Sequence, residues 1–259
     1  MTRLHDPERF TQAPQAVLFD IDDTMYAYDP SHAAAMAAVQ AKVTRMFSLG
    51  EARFQAAYAE AREQTKERLA GTAASHSRLL YFQRMCEILG LGSQVLLALD
   101  LEQTYWRSFL GAAQLFDGLR DFLDDLRLAG IPIAIVTDLT AQIQFRKIVH
   151  FGLDHFFDHI VTSEEAGFDK PQPAPVLLAI GKIAPTAERI WMIGDSARAD
   201  IDGARSALGA ATLQKLHKGV HEGADSQRAD ATLATFAEAR ELLARAIAGS
   251  AARAKAVAA

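Results

Sequence analysis

The chain has 259 residues, half of them hydrophobic and 23% charged, with a net charge of −5; that is the make-up of a globular fold rather than of a disordered chain. The acidic balance argues against a nucleic-acid partner, which needs a basic face, and there is no run of about 18 apolar residues to cross a membrane. A single cysteine, Cys86, excludes an internal disulfide and agrees with a cytoplasmic location, as does a charged start, MTRLHDPERFTQAPQ, with no apolar signal stretch.

AVLF, residues 16–19, reads as a buried strand that runs straight into Asp20, Asp22 and Asp23. Carboxylates this close repel one another unless a positive charge sits among them. From residue 31 to residue 110 the apolar spacing is helical, in four segments broken at Leu49-Gly50, Gly71-Thr72 and Leu89 to Gly92, and nothing there reads as strand. Beyond Gly111 the pattern alternates: helix 117–130, strand 131–137, helix 141–152, strand 159–162, helix 174–183, strand 189–194 and helix 199–208. Short strands at 209–214 and 229–234 follow, then an Ala- and Arg-rich surface helix. Strands alternating with helices predict a parallel sheet covered on both faces. The first strand belongs with this second half. Residues 1–26 and 112–259 therefore read as an α/β core and residues 27–111 as a helical insert.

In an open parallel sheet, ligands bind beyond the carboxyl ends of the strands. Four strand ends here lead into DIDDT, TDLT, SEEAGFDKPQP and GDSARAD. They deliver Asp20 and Asp22, then Thr137, then Lys170, then Asp195 with Asp200 beyond it. Several carboxylates, one lysine and one hydroxyl at a single edge suit a hard divalent cation plus a phosphate. Mg²⁺ prefers such oxygen ligands and often shares them with substrate phosphate.

With D-x-D-x-T at Asp20 to Thr24, Thr137, Lys170-Pro171 and G-D-x-x-x-x-D at Gly194 to Asp200, the chain resembles the haloacid dehalogenase (HAD) superfamily of phosphohydrolases. The resemblance implies a Rossmann-like core, with the helical insert standing where the family's C1-type cap stands. It implies that Asp20 is the nucleophile and that Asp22 is first the general acid and then the base. It also implies Mg²⁺ held by the Asp20 carboxylate, the Asp22 backbone carbonyl and Asp195, with Asp200 acting on a metal-bound water or on Lys170. Thr137 and the backbone amide of Asp138 would bind the phosphoryl oxygens, and Lys170 would neutralise Asp20 and the phosphate. An acid at Asp22 points to phosphate esters, since a departing halide needs no proton. Asp138 stands where relatives often carry Asn, so its carboxylate must turn away from a bound phosphate or pair with a cation.

Within the insert, Phe54, Tyr58, Tyr81, Phe82, Tyr105 and Trp106 read as helix packing, whereas Arg78, or His76 before it, is placed to reach the substrate. Pro30, Gly111 and Gly118 suit hinges for a cap that opens. The histidine pairs His155/His159 and His217/His221 lack a third metal ligand and read as surface residues. The expected function is a Mg²⁺-dependent phosphatase for a small phosphorylated metabolite, a nucleotide or a sugar phosphate, working as a monomer or homodimer. A phosphomutase or phosphotransferase on the same site, or a non-catalytic binding protein of the same fold, stays open.

Overall fold

The computed structural model describes residues 2–184 and 186–258. Its strands are β1 (Arg3–Leu4), β2 (Ala16–Phe19), β3 (Ile133–Thr137), β4 (His159–Thr162), β5 (Ile190–Gly194), β6 (Ala211–Lys215) and β7 (Ala231–Leu233). They form one sheet in the order β1-β7-β6-β5-β2-β3-β4. Only β1 runs antiparallel to its neighbour; the other pairs are parallel. Strands β2, β3, β5 and β6 are buried at every position; β2, β3 and β5 accordingly read as nearly continuous apolar runs rather than as alternating ones, whereas β6 buries Thr212, Gln214 and Lys215 as well.

The period of two still sorts their side chains between two cores. Val17, Phe19, Ile133, Ile135, Trp191 and Ile193 pack toward α5 (Leu119–Leu128) and α10 (Phe236–Ala258). Leu18, Ala134, Val136 and Met192 pack toward α8 (Ala174–Ile183) and α9 (Gly203–Leu208). The fold is thus the expected α/β core of Rossmann-like form with an inserted helical cap.

Four cap helices lie between β2 and β3: α1 (Tyr28–Phe47), α2 (Glu51–Arg68), α3 (Arg78–Ile88) and α4 (Val95–Ala112). Helix α1 packs on α4, and α3 packs on both α2 and α4. The six cap aromatics are buried among these helices, the packing role their spacing predicts. Ser77 starts α3 by accepting a hydrogen bond from the Leu80 amide at 3.3 Å, the usual work of an N-terminal serine.

The two chain connections between cap and core run side by side, with the Phe116 amide donating to Met25 O at 2.9 Å. Two expected hinge residues are corrected here. Pro30 sits in the first turn of α1, where a missing N–H costs nothing, and Gly111 lies inside α4. Only Gly118, at φ 78° just before α5, lies outside a helix. No helix among the described residues is long and apolar enough to cross a membrane.

Candidate active site

Register brings the motif residues to one level. Phe19 pairs with Ile135 on one side and Ile193 on the other, so the chain leaves all three central strands together. Asp20 stays in the sheet's grip, its amide donating to Ile193 O at 2.9 Å. Thr137 ends β3, and Asp195 follows β5 directly.

Lys170 ties this edge together. Its Nζ donates to Asp20 Oδ1 at 2.7 Å, to Asp200 Oδ1 at 2.6 Å and to Val136 O at 2.9 Å, which uses all three ammonium donors. Burial opposes the charge on Lys170, but Asp20, Asp200 and Asp138 outweigh it and hold the ammonium well above its ordinary value. Asp200 reaches this position from a π-helical turn, Ala197–Asp202, and accepts the Ser196 amide at 3.0 Å. The turn folds Asp200 tightly over Gly194, where a Cβ would run into the aspartate side chain. That close approach requires the glycine of the GDSARAD segment.

One lysine does not balance the acids around it. Oxygens of Asp20, Asp195 and Asp200 lie within 4.8 Å of one another. Burial pushes Asp20 up to about 7, with the Asp200 charge adding to it and Lys170 opposing. Burial likewise pushes Asp195 up to about 9, helped by the charges of Asp200, Asp20 and Asp23. Carboxylates that resist ionisation together are short of a cation. The donor set, all oxygen, fits a hard divalent ion. Asp200 belongs to this cluster, closer in than the sequence alone places it.

Asp22 points elsewhere. Its carboxylate accepts from Lys147 Nζ at 2.6 and 2.7 Å, from Gln144 Nε2 at 3.3 Å and from the Tyr26 hydroxyl. Burial alone would raise Asp22; the Lys147 charge and the bonds from Lys147, Tyr26 and Gln144 hold it below the usual carboxylate value. None of these three partners is marked by the sequence motifs. A signal was available on α6 (Ala141–His150): Gln144 and Lys147 are buried on the same stripe as Ile143 and Ile148. Polar residues on the apolar stripe of an amphipathic helix ask for a buried partner.

Gln144 also holds the turn after β3, donating to Thr137 Oγ1 and to Asp138 O, each at 2.7 Å. The Asp138 carboxylate turns back to accept the Lys170 amide at 2.9 Å. It occupies the role an Asn carbonyl would fill, and burial raises its pKa, opposed by Lys170. The next residue, Leu139, has φ 107° and donates its amide at 3.0 Å to Ser163 Oγ, at the start of the short helix α7 (Ser163–Ala166), so the loop is held from both sides.

The edge forms the floor of a cavity of about 1250 Å³. Its opposite wall comes from the cap and includes Arg62 and Lys66 of α2 with His76 and Arg78. The His76 ring reaches the core, 3.2 Å from Asp169 Oδ2, and the Asp169 amide donates to Gly71 O at 2.9 Å. Arg78 donates to His76 O at 2.6 Å and to the Tyr28 hydroxyl, ringed by Tyr28, Tyr81, Tyr105 and Trp106. Neither histidine pair lies on a helix, and His217 is no plain surface residue: its Nε2 is 3.2 Å from Asp23 Oδ1.

Residues 14–207 match the haloacid dehalogenase-like hydrolase family. A ribulose-1,5-bisphosphate 5-phosphatase from Halopiger xanaduensis is 33% identical over 88% of this chain and 98% of its own. A glyceraldehyde 3-phosphate phosphatase from Methanothermobacter thermautotrophicus is 30% identical over 77% of this chain and 84% of its own. The crystal structure of an HAD phosphatase from Thermococcus onnurineus shares the fold with a TM-score of 0.65 at 25% identity, across 88% of this chain and 97% of that one. The chain belongs to the haloacid dehalogenase-like hydrolases, and it is an enzyme of their phosphatase kind.

Proposed function

We propose that this haloacid dehalogenase-like hydrolase is a cytoplasmic Mg²⁺-dependent phosphatase of small phosphorylated sugars that works through a phosphoryl group on Asp20. The observation that carries the reading is the floor of the cavity. Three carboxylates cluster there, two of them bonded to one lysine, and a fourth, Asp22, is held apart on Lys147. That division of acids suits a nucleophile and a proton carrier with different tasks.

In the first half of the reaction an Asp20 oxygen attacks phosphorus while the bond from phosphorus to the sugar oxygen breaks. Asp22, which Lys147 holds ionised in this arrangement, takes up one proton from solvent as the ester binds and passes it to that departing oxygen. In the second half a water attacks the phosphoryl-aspartate and Asp22 takes the proton from it. Inorganic phosphate leaves, and the Asp20 carboxylate is restored. Thr137, the Asp138 amide and Lys170 position the phosphoryl oxygens, since orientation and charge supply most of phosphoryl-transfer catalysis. Mg²⁺ held by Asp20, Asp195 and the Asp22 backbone carbonyl, with Asp200 beside it, would supply the positive charge that lets two anions approach.

The sugar substrate class rests on the relatives, of which one is named for a ketose bisphosphate and the other for a triose phosphate. Phosphate release from ribulose-1,5-bisphosphate, glyceraldehyde 3-phosphate, p-nitrophenyl phosphate and a nucleotide, each with and without Mg²⁺, tests it. Metal-dependent release from the sugars above that from the nucleotide is expected. No release from any ester would sink the reading, and a nucleotide preference would move it to another substrate class.

A further inference from the structure

The cap wall brings unpaired cations to the cavity. Arg62 and Lys66 lie one turn apart on α2, and both border the cavity. Among the described residues neither makes an ion pair or a side-chain hydrogen bond. Glu63 and Glu67 on the same helix also border the cavity, exposed to solvent, and no ion pair joins either of them to Arg62 or Lys66. Arg78, one element on, keeps a buried Nε–H with no hydrogen-bond partner. The crowding of like charge registers on the neighbours. Lys66 is lowered by burial and then by the charges of Arg62 and Arg78. His32, whose Nδ1 lies 2.7 Å from the Tyr105 hydroxyl, is pushed down to about 4 by burial and then by the same two arginines. A buried donor without an acceptor is costly, and Arg62, Lys66 and Arg78 stand close enough to disfavour one another's charge.

We infer that this wall is a subsite for a second oxyanion on the substrate, received by Arg62, Lys66 and the free Nε–H of Arg78, so that the enzyme selects small doubly anionic phosphate esters. The inference rests on the phosphatase reading above and narrows it. The scissile phosphoryl group sits on the floor against Lys170, and the second anion sits against α2 and α3. Arginine with lysine suits phosphate, the first as a planar fork and the second as a point charge. A triose phosphate has a neutral far end and leaves the wall unmatched, whereas a sugar bisphosphate spans from floor to wall.

Steady-state kinetics of Arg62→Gln, Lys66→Gln and the double variant test this, using ribulose-1,5-bisphosphate, glyceraldehyde 3-phosphate, a phosphorylated carboxylic acid and p-nitrophenyl phosphate. Arg62 is exposed and Lys66 half-buried, so the substitutions spare the cores. The ratio of kcat/KM for the bisphosphate to that for the triose phosphate should fall roughly 10-fold per residue, the scale of a lost charged hydrogen bond, mainly through KM. An equal fall for the phosphorylated acid assigns the subsite to oxyanions at large, and a fall confined to the bisphosphate assigns it to phosphate. A double variant with the parent's ratio overturns the subsite. Calorimetric titration of Asp20→Asn, with and without the wall substitutions, keeps the two readings apart. If no ester is hydrolysed the phosphatase reading fails, yet bisphosphate binding weakened by wall substitutions still supports the anion site. If p-nitrophenyl phosphate is hydrolysed but wall substitutions leave bisphosphate binding unchanged, only the anion site fails.

Discussion

On the floor of the cavity, carboxylates crowd around a single lysine; on the cap wall, Arg62 and Lys66 face the cavity unpaired, beside the exposed Glu63 and Glu67. The floor is made by backbone that the sheet fixes, with residues leaving β2, β3 and β5 at one level, and its side chains are locked by short contacts such as those of Lys170. The wall is made by helix surface, where Arg62 and Lys66 keep their freedom. The contrast separates two jobs. A preorganised floor suits bond making and breaking, which tolerates little misplacement, and a looser charged wall suits the choice of substrate.

The largest effect belongs to the floor. Asp20→Asn keeps the volume and removes the proposed nucleophile, so turnover should drop on the order of 10⁴-fold or more while the thermal unfolding midpoint stays near that of the parent. Steady-state rates together with a melting curve check both halves. Appreciable turnover in that variant would show that the floor works in some other way.

Next comes Lys147→Met. It frees Asp22 from its strongest partner, at 2.6 and 2.7 Å, so proton transfer should suffer by roughly 10²-fold in kcat. Breaking a buried pair also costs about 3–5 kcal/mol, which a denaturant titration would register. A parent-like kcat would mean that the Lys147 clasp only fills space.

A smaller loss is expected from Gly194→Ala, because the added methyl displaces the Asp200 side chain. Overpacking of this kind costs about 1–3 kcal/mol, and the Mg²⁺ concentration for half-maximal rate should rise as the cluster spreads. An unchanged metal titration would place the ion away from Asp195 and Asp200. Asp138→Asn should do least. Its Oδ1 can still accept the Lys170 amide, so KM should stay within about threefold of the parent, the scale of a lost contact below 1 kcal/mol. A tenfold rise would show that the Asp138 charge itself matters.

The same contrast explains what the sequence discloses. The floor is legible because strand ends concentrate chemistry in short runs: DIDDT, TDLT and GDSARAD stand out against the apolar strands before them. The buried strands are legible for the same reason, down to HIVT. The two-residue β1 is not, since Arg3–Leu4 is too short to show a period and is defined only by pairing with β7. Lys147 and Gln144 meet Asp22 from more than 120 positions away along the chain, and only their place on a buried stripe marks them. Arg62 and Lys66 carry no local mark at all. Two cations one turn apart on a charged helix read as an ordinary solvated face until the cavity opposite them is known. Asp200 comes in closer than expected because a π-helical turn, not an α-helical one, carries it over Gly194.

The most direct test of the division of labour on the floor uses Asp22→Asn with p-nitrophenyl phosphate. Its leaving group departs as a stable phenolate, so the first half-reaction needs no proton from residue 22, whereas release of the phosphoryl group still needs a base. Rapid mixing should give a burst of p-nitrophenolate of about one equivalent per enzyme followed by a stall. Intact-protein mass spectrometry and peptide mapping should then find one phosphoryl group on Asp20. Steady turnover at the parent's rate with no adduct, or a phosphoryl group on any other residue, would contradict the account.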